Sequence, residues 1–182
     1  MAISNKILVV EDDPTTVLIL RSRLAKAGFW TIAPEVTGDI ESFTAKVAKI
    51  AAEEDIHIAI CDLTLPLNNK EGILNGLAIL SALRQVKTAK PFIIVLTGTI
   101  DEAVFESLKA YKVKGSFSKE NPSAYDQVIK TAIELKEKHR FDRDEEEDKK
   151  RENIVLVNFE ESATAESSTE KLDSLDESQI KD

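Results

Sequence analysis

The sequence predicts an α/β protein built on one doubly wound, five-stranded parallel sheet with helices on both faces. Three short runs, residues 6–10, 57–61 and 91–96, are rich in Ile or Val and lack regular polar alternation, as expected of strands covered on both faces. Segments with helical spacing of apolar residues separate these runs. Strand and helix alternate five times, which favours parallel strands joined by right-handed crossovers.

The first half of the chain supplies two strands and two helices. The helix after residues 6–10 is predicted to begin at Asp13-Pro14 and to stop at Gly28, because Pro suits the first helical turn and Gly the position after the last. A weaker strand is predicted over residues 30–33. The two helices carry apolar residues at helical spacing: Val17, Leu20 and Leu24 in the first, and Ile40, Phe43, Val47 and Ile50 in the second.

The second half repeats the pattern three times. Strands are predicted over residues 57–61, 91–96 and 115–118, and the last helix is predicted to start at Asn121-Pro122-Ser123. The apolar faces of the three helices are Leu77, Leu80 and Leu83, then Val104, Phe105 and Leu108, then Tyr125, Val128, Ile129, Ala132 and Ile133. About 135 residues therefore suffice for the whole sheet and its helices.

Most of the negative charge lies at the end of the chain. Residues 1–139 carry 17 Lys or Arg against 18 Asp or Glu, while residues 140–182 carry 7 against 15, so the net charge of −9 divides into −1 and −8. Residues 142–152 contain Glu and Lys or Arg at i, i+4 spacing, which favours a solvated helix, and residues 160–182 have a composition typical of disorder. We predict a folded domain over 1–139 and an acidic extension over 140–182.

Composition excludes several classes of function. The charge balance gives no clustered Lys and Arg for a phosphate backbone, so we expect no nucleic-acid binding. The apolar runs are too short to span a bilayer, and Glu11 interrupts the first of them, so neither a membrane segment nor a secretory signal is predicted. The single Cys61 allows no intrachain disulfide. We expect a cytoplasmic protein.

Polar side chains follow four of the predicted strands at their carboxyl ends, where open parallel sheets bind ligands. They are Glu11, Asp12 and Asp13 after the first strand, Asp62 after the third, Thr97 after the fourth and Lys119 after the fifth. Carboxylates packed together repel one another and need a cation, and an all-oxygen site suits magnesium. Lys119 and the Thr97 hydroxyl can bind phosphate oxygens, so these strand ends are suited to holding a phosphoryl group.

Among the acids, Asp62 is the best candidate nucleophile. It stands alone at its strand end, whereas Glu11 and Asp12 are placed together as metal ligands would be. A carboxylate in such a site can attack phosphorus and form an acyl phosphate. Asp13 directly precedes Pro14 and is better suited to starting the first helix.

Four motifs carry a family resemblance. The stretches "KILVVEDDP", "ICDLTLP", "IIVLTG" and "KGSFSKE", in this order and spacing, resemble the receiver domain of two-component response regulators over roughly residues 4–138. The resemblance implies a flavodoxin-like (βα)5 fold. It also implies a signalling switch that accepts a phosphoryl group on Asp62 from a histidine kinase or a histidine phosphotransfer protein and acts through a downstream protein. No independent enzymatic turnover is implied, and pairing of two copies is left open.

The resemblance also assigns roles to the other site residues. Mg²⁺ would be bound by Glu11, Asp12, Asp62 and the backbone carbonyl of Thr64. Thr97 would sense the phosphoryl oxygen and Lys119 would pair with it.

Two departures from the family pattern stand close to these residues. Pro66 is followed by "LNNKEGILN" before Gly76, which is longer than receivers commonly have, and we expect the third helix to open at Gly76. Ser116 occupies the position three residues before Lys119 where the family usually has an aromatic or His that reorients on activation. Phe117 is its neighbour, but on a strand it points to the other face.

Two other functions remain open. A receiver-like domain that no longer switches would serve as a scaffold, and Ser116 with the long loop motivates that alternative. An aspartate-nucleophile phosphohydrolase would also use magnesium, Thr and Lys around Asp62. Such enzymes need a second Asp two residues after the nucleophile, and this chain has Thr64 there.

Overall fold

The computed structural model describes residues 5–67, 72–88, 90–98 and 102–138. Within these ranges five strands form one parallel sheet in the order β2-β1-β3-β4-β5. The strands are β1 (Lys6–Val10), β2 (Trp30–Ile32), β3 (Ile58–Cys61), β4 (Phe92–Thr97) and β5 (Gly115–Ser118). Each lies within a residue of its predicted bounds at either end.

Helices follow each strand, so the predicted doubly wound fold is confirmed. The helices are α1 (Pro14–Lys26), α2 (Ile40–Glu53), α3 (Ile73–Gln85), α4 (Glu102–Ala110) and α5, which begins at residue 124 and is described to residue 138. None of the helices in the described ranges is long and apolar enough to cross a membrane.

The sheet is buried on both faces, which explains the absence of polar alternation in its strands. On β1, Leu8 and Val10 pack against residues of α2 and α3, whereas Ile7 and Val9 pack against residues of α1 and α5. Every one of these four side chains is fully buried. The edge strands β2 and β5 are less covered than the three central strands. Ligands of such sheets bind outside the carboxyl ends of the strands.

The start of α1 separates the capping acid from the two acids that precede it. Asp13 is the N-cap, with Oδ1 accepting a hydrogen bond from Thr15 N at 3.1 Å and Oδ2 accepting from Thr16 N at 3.0 Å and Thr16 Oγ1 at 2.6 Å. The Thr16 hydroxyl and the two amides lower the pKa of the Asp13 carboxyl. Asp13 therefore starts the helix, as predicted, and leaves Glu11 and Asp12 in the loop at the sheet edge.

The prediction that α3 opens at Gly76 is wrong. The helix begins at Ile73 with Gly72 in the N-cap position, so Gly76 lies inside it. Gly76 N donates to Leu63 O at 3.0 Å, and a Cβ at Gly76 would lie 2.2 Å from Leu63 Cα. The glycine is therefore required by close packing against the segment after β3, not by the helix terminus. Residues 68–71, which belong to the predicted long loop, lie outside the described residues.

All described residues except Lys138 belong to one compact unit that ends at Glu137. Residues 139–182 lie outside the described ranges. The division at residue 139, with its charged and disordered extension, therefore stays a prediction.

Because Gly76 packs so closely on Leu63, we expect even a methyl side chain at this position to destabilise the protein. Gly76→Ala should lower the free energy of unfolding by about 3 kcal/mol, because the backbone of Leu63 cannot yield as a flexible side chain would. Gly98→Ala is the matched control, since a Cβ there meets nothing within 4 Å, and it should change stability by less than about 1 kcal/mol. Urea denaturation measures both, and equal losses in the two variants would refute the packing argument.

Candidate functional site

Backbone hydrogen bonds fix the residues that follow the strands. Asp62 N donates to Val10 O at 2.8 Å, which extends the pairing of β1 and β3 by one residue. Lys119 N donates to Thr97 O at 2.8 Å and does the same for β4 and β5. The main-chain positions of Asp62 and Lys119 are thus set by the sheet itself, and four strands converge at one edge.

The Lys119 ammonium bridges two buried carboxylates. Its Nζ lies 2.6 Å from Asp62 Oδ2 and 2.7 Å from Glu11 Oε2. The carboxylate side chains are 5% and 2% exposed, whereas that of Lys119 is 21% exposed. Charge-assisted hydrogen bonds of this length are strong because little water competes for them.

The remaining oxygen of each buried carboxylate is held by a backbone amide. Asp62 Oδ1 accepts from Thr64 N at 3.0 Å, and Glu11 Oε1 accepts from Asp13 N at 3.0 Å. Each carboxylate therefore has one oxygen on Lys119 and the other on the main chain. This fixes the orientation of both groups before any ligand arrives.

Burial and charge act in opposite directions on these groups. Burial raises the pKa of Glu11 and outweighs the hydrogen bond and charge of Lys119, which lower it. For Lys119, burial opposes the charged form, but the hydrogen bonds and charges of Asp62 and Glu11 prevail and raise its pKa. Because that pKa lies above the ordinary 10.5, Lys119 is charged at neutral pH, and its stabilising contribution is lost only as the pH rises through the folded value.

Three carboxylates lie close enough to share a cation. Oxygens of Glu11, Asp12 and Asp62 all fall within 4.8 Å of one another, with Asp12 exposed and the other two buried. With the Lys119 ammonium, the three acids leave a formal charge of −2. An all-oxygen group with one side open to water fits Mg²⁺, which keeps several of its waters. The structure thus brings together the three acidic side chains that the sequence indicated as metal ligands.

Thr64 contacts the site through its amide in this structure. Its N–H holds Asp62 Oδ1, and its side chain is exposed. The predicted role of its backbone carbonyl as a metal ligand stays a prediction.

The Thr97 hydroxyl is buried without a hydrogen-bond partner among the residues that the structure describes. The residue is 1% exposed, and Oγ1 is inaccessible to water. A buried hydroxyl that makes no hydrogen bond costs free energy, and Thr31 Oγ1 on β2 is in the same state among the described residues. The predicted role of Thr97 with a ligand therefore stays a prediction. A phosphate oxygen is the acceptor expected of the site predicted here.

The aromatic side chain of β5 faces away from the position that Ser116 occupies. Ser116 pairs with Val95, whose side chain packs in the layer of α2 and α3, while Phe117 packs in the layer of α1 and α5. The Phe117 ring lies over Gly115, where a Cβ would come within 2.7 Å of Cε2. The opposite orientation of Phe117 agrees with the prediction from strand alternation.

Ser118 is a residue of the site edge that the sequence analysis missed. Its hydroxyl donates to Gly98 O at 2.7 Å and accepts from Glu120 N at 3.2 Å. The register places Ser118 directly beside Thr97. Aligning the ends of β4 and β5 could have identified it, because this alignment places a second hydroxyl beside Thr97 at the edge of the sheet where the site residues lie.

Cys61 has no part in this chemistry. It is fully buried on β3, and burial together with the neighbouring charge of Asp62 raises the pKa of its thiol. The thiol therefore stays protonated and serves as a small core side chain.

Comparison with known proteins agrees with the geometry. The model of the response regulator receiver domain family matches residues 7–133. A search of the curated proteins found no match. Solved structures with the same fold include the signal receiver domain of a modulated diguanylate cyclase from Desulfovibrio desulfuricans G20, at 23% identity and a TM-score of 0.55, covering 74% of this chain and 97% of that one.

Two further structures share the fold. The REC domain of AraT, a response regulator from Geobacillus stearothermophilus, is 17% identical with a TM-score of 0.56, covering 76% of this chain and 97% of that one. A response regulator protein from Burkholderia pseudomallei, with a phosphorylated aspartic acid, a calcium ion and citrate, is 18% identical with a TM-score of 0.54, covering 75% and 74%. Because the family model spans more than half of the sequence, the chain belongs to the response regulator receiver domain family.

Proposed function

We propose that this domain is a phosphorylation-dependent signalling switch whose phosphoacceptor is Asp62. Receiver domains are the phosphoacceptors of two-component systems, and the chain belongs to that family. The observation that carries the assignment is the setting of the Asp62 carboxylate, held by Lys119 Nζ at 2.6 Å and Thr64 N at 3.0 Å beside Glu11 and Asp12. In the described ranges, these acids and Lys119 form one connected cluster with a net negative charge.

The reaction needs little covalent machinery from the protein. A carboxylate oxygen of Asp62 forms a bond to phosphorus while the P–N bond of a phosphohistidine breaks, and the imidazole nitrogen keeps the electron pair and takes up a proton. Thr64 N–H and Lys119 hold the carboxylate in place during the attack. The product is an acyl phosphate on Asp62.

Charge stabilisation follows from the same residues. Lys119 can pass from the Asp62 carboxylate to a phosphoryl oxygen, and the unpartnered Thr97 hydroxyl can donate to another. Magnesium bound by Glu11, Asp12 and Asp62, with the Thr64 carbonyl as a further proposed ligand, would neutralise the charge of the phosphoryl oxygens. The phosphorylated aspartic acid and calcium ion of the Burkholderia neighbour support this arrangement by analogy.

The family implies the partners. A histidine kinase or a histidine phosphotransfer protein would supply the phosphoryl group, and a downstream protein would read the phosphorylated state. The same proposal includes a cytoplasmic location and no binding to nucleic acid or membranes. It leaves open whether two copies pair.

One observation favours a second function, that of a scaffold that does not switch. Ser116 replaces the aromatic residue that the family usually reorients on activation, and Phe117 packs on the opposite face. A scaffold would not need phosphorylation, so uptake of phosphate by Asp62 separates the two functions. The phosphohydrolase alternative lacks a general acid at Thr64, and steady release of phosphate from a small phosphomonoester would be its signature.

Substitution of Asp62 tests the phosphoacceptor directly. With Mg²⁺ and a small phosphoramidate, the wild type should gain one labile phosphoryl group by intact mass, and Asp62→Asn should gain none because the amide is a poor nucleophile. Asp55→Asn is the matched control: it lies before β3, at the opposite end of the strand, and should react as the wild type does. Equal uptake by Asp62→Asn would show that the site is wrongly assigned, and an inert wild type would favour the scaffold.

Removal of the Lys119 charge should slow the same reaction. Lys119→Met leaves the carboxylates without their ammonium and removes a cation that stabilises the phosphoryl oxygens, so the phosphorylation rate should fall about a hundredfold. Lys114→Met, one residue before β5, should keep the wild-type rate. Circular dichroism confirms that both variants are folded. A Lys119→Met rate within a factor of two of the wild type would refute the role of Lys119.

A further inference from the structure

We propose that Ser118 is a positioning residue that fixes the segment carrying the phosphate-sensing hydroxyl of Thr97. The proposal rests on the proposed function, since it concerns the same phosphorylation site. It concerns a residue to which the family resemblance assigned no role, and it acts through the hydrogen bond from the Ser118 hydroxyl to the carbonyl of Gly98.

The two hydrogen bonds of the Ser118 hydroxyl fix its orientation. Glu120 N–H donates to Ser118 Oγ at 3.2 Å, so the oxygen acts as an acceptor there. Its own proton is then directed to Gly98 O at 2.7 Å. The short turn after β5 thereby orients the serine, and the serine in turn holds the residue that follows β4.

Two consecutive carbonyls at the end of β4 are held by two consecutive residues at the end of β5. Lys119 N donates to Thr97 O at 2.8 Å, and Ser118 Oγ donates to Gly98 O. The first bond belongs to the sheet pairing, but the second comes from a side chain and depends on the presence of a hydroxyl. Ser118 and Lys119 thus hold the peptide groups on either side of Gly98.

Gly98 is the position where such a pair of hydrogen bonds has most effect. Glycine has the widest choice of backbone dihedral angles, so a hydrogen bond to its carbonyl removes more conformational freedom than the same bond would at another residue. Thr97 directly precedes it, with a buried hydroxyl that makes no hydrogen bond within the described part of the chain. Without the bond to Ser118, rotation at Gly98 would loosen the segment on which the direction of the Thr97 hydroxyl depends.

The position of Ser118 relative to Ser116 strengthens the case. Both serines are half-buried and lie on the same face of β5, two residues apart. The bulky group that the family usually places at Ser116 is missing here. The hydrogen bond from Ser118 supplies a different connection between β5 and the end of β4, one that uses a polar contact in place of an aromatic side chain.

The test is a double-mutant cycle between Ser118 and Thr97 in the 182-residue chain. The rate of phosphoryl uptake from phosphoramidate with Mg²⁺ is measured by intact mass for the wild type, Ser118→Ala, Thr97→Ala and the double variant. Ser118→Ala should slow uptake roughly fivefold, the factor that one ordinary hydrogen bond is worth. In the Thr97→Ala background it should slow uptake no further, because the group that it positions is gone.

Stability measurements separate positioning from a general loss of structure. Urea denaturation should show the same loss of stability for Ser118→Ala in both backgrounds, even though the kinetic effect vanishes in one of them. Ser118→Thr keeps the hydroxyl and should react within a factor of two of the wild type. Ser116→Ala, a serine lost from the same face of the same strand, should also keep the wild-type rate.

Three results would overturn the proposal. A wild-type rate for Ser118→Ala would show that the bond to Gly98 does not matter. Equal slowing in both backgrounds would show that Ser118 does not act through Thr97. A wild type that takes up no phosphoryl group would remove the proposed function along with this one, whereas the first two results leave Asp62 as the phosphoacceptor.

Discussion

The bridge from Lys119 to Asp62 and Glu11 is the interaction on which the site depends. Two carboxylates with side chains 5% and 2% exposed repel each other and have lost most of their water. Their burial is tolerable because one ammonium contacts both and backbone amides hold their other oxygens. Lys119 and the two buried carboxylates carry a formal charge of −1, and exposed Asp12 makes it −2. The cluster therefore holds more negative charge than Lys119 can balance.

The topology of the sheet brings the three residues of this bridge to one edge. The chain adds β2 on one side of β1 and then adds β3, β4 and β5 on the other side. The acids lie at the carboxyl ends of β1 and β3, the two strands where this order changes. Two strands further along, β5 brings Lys119 to the same edge, and the hydrogen bond to Thr97 O fixes its main chain. The close packing of Gly76 on Leu63 fixes the segment directly after Asp62. The fold therefore fixes the main chain at Asp62 and Lys119, and the two side chains meet from these positions.

Much of this arrangement could be predicted from the sequence because it depends on local rules. Apolar runs without polar alternation indicate strands covered on both faces, and the carboxyl ends of parallel strands share an edge, so Glu11, Asp62 and Lys119 were expected together. The start of α1 at Asp13-Pro14 followed from side-chain capping. Each of these features is encoded within a few neighbouring residues.

What the sequence did not reveal depends on contacts between distant residues. A glycine such as Gly76 is common at the start of a helix, but this one lies inside α3. It is required because the backbone of Leu63, thirteen residues earlier in the chain, leaves no room for a Cβ. The hydroxyl of Ser118 became meaningful only when the register of β4 and β5 placed it beside Thr97. The amide of Thr64 is likewise invisible to motif analysis, because any residue except proline offers one.

The central claim is that the carboxylate cluster keeps a net negative charge in the presence of Lys119 and can therefore bind a cation. Measuring the binding of Mg²⁺ tests this claim most directly. Isothermal titration calorimetry of the wild type and of Lys119→Met at neutral pH measures it. We expect one ion to bind to the wild type, and to bind more tightly to Lys119→Met because the ion no longer shares the carboxylates with an ammonium. Absence of binding to the wild type, or weaker binding to Lys119→Met despite a folded protein, would contradict the claim.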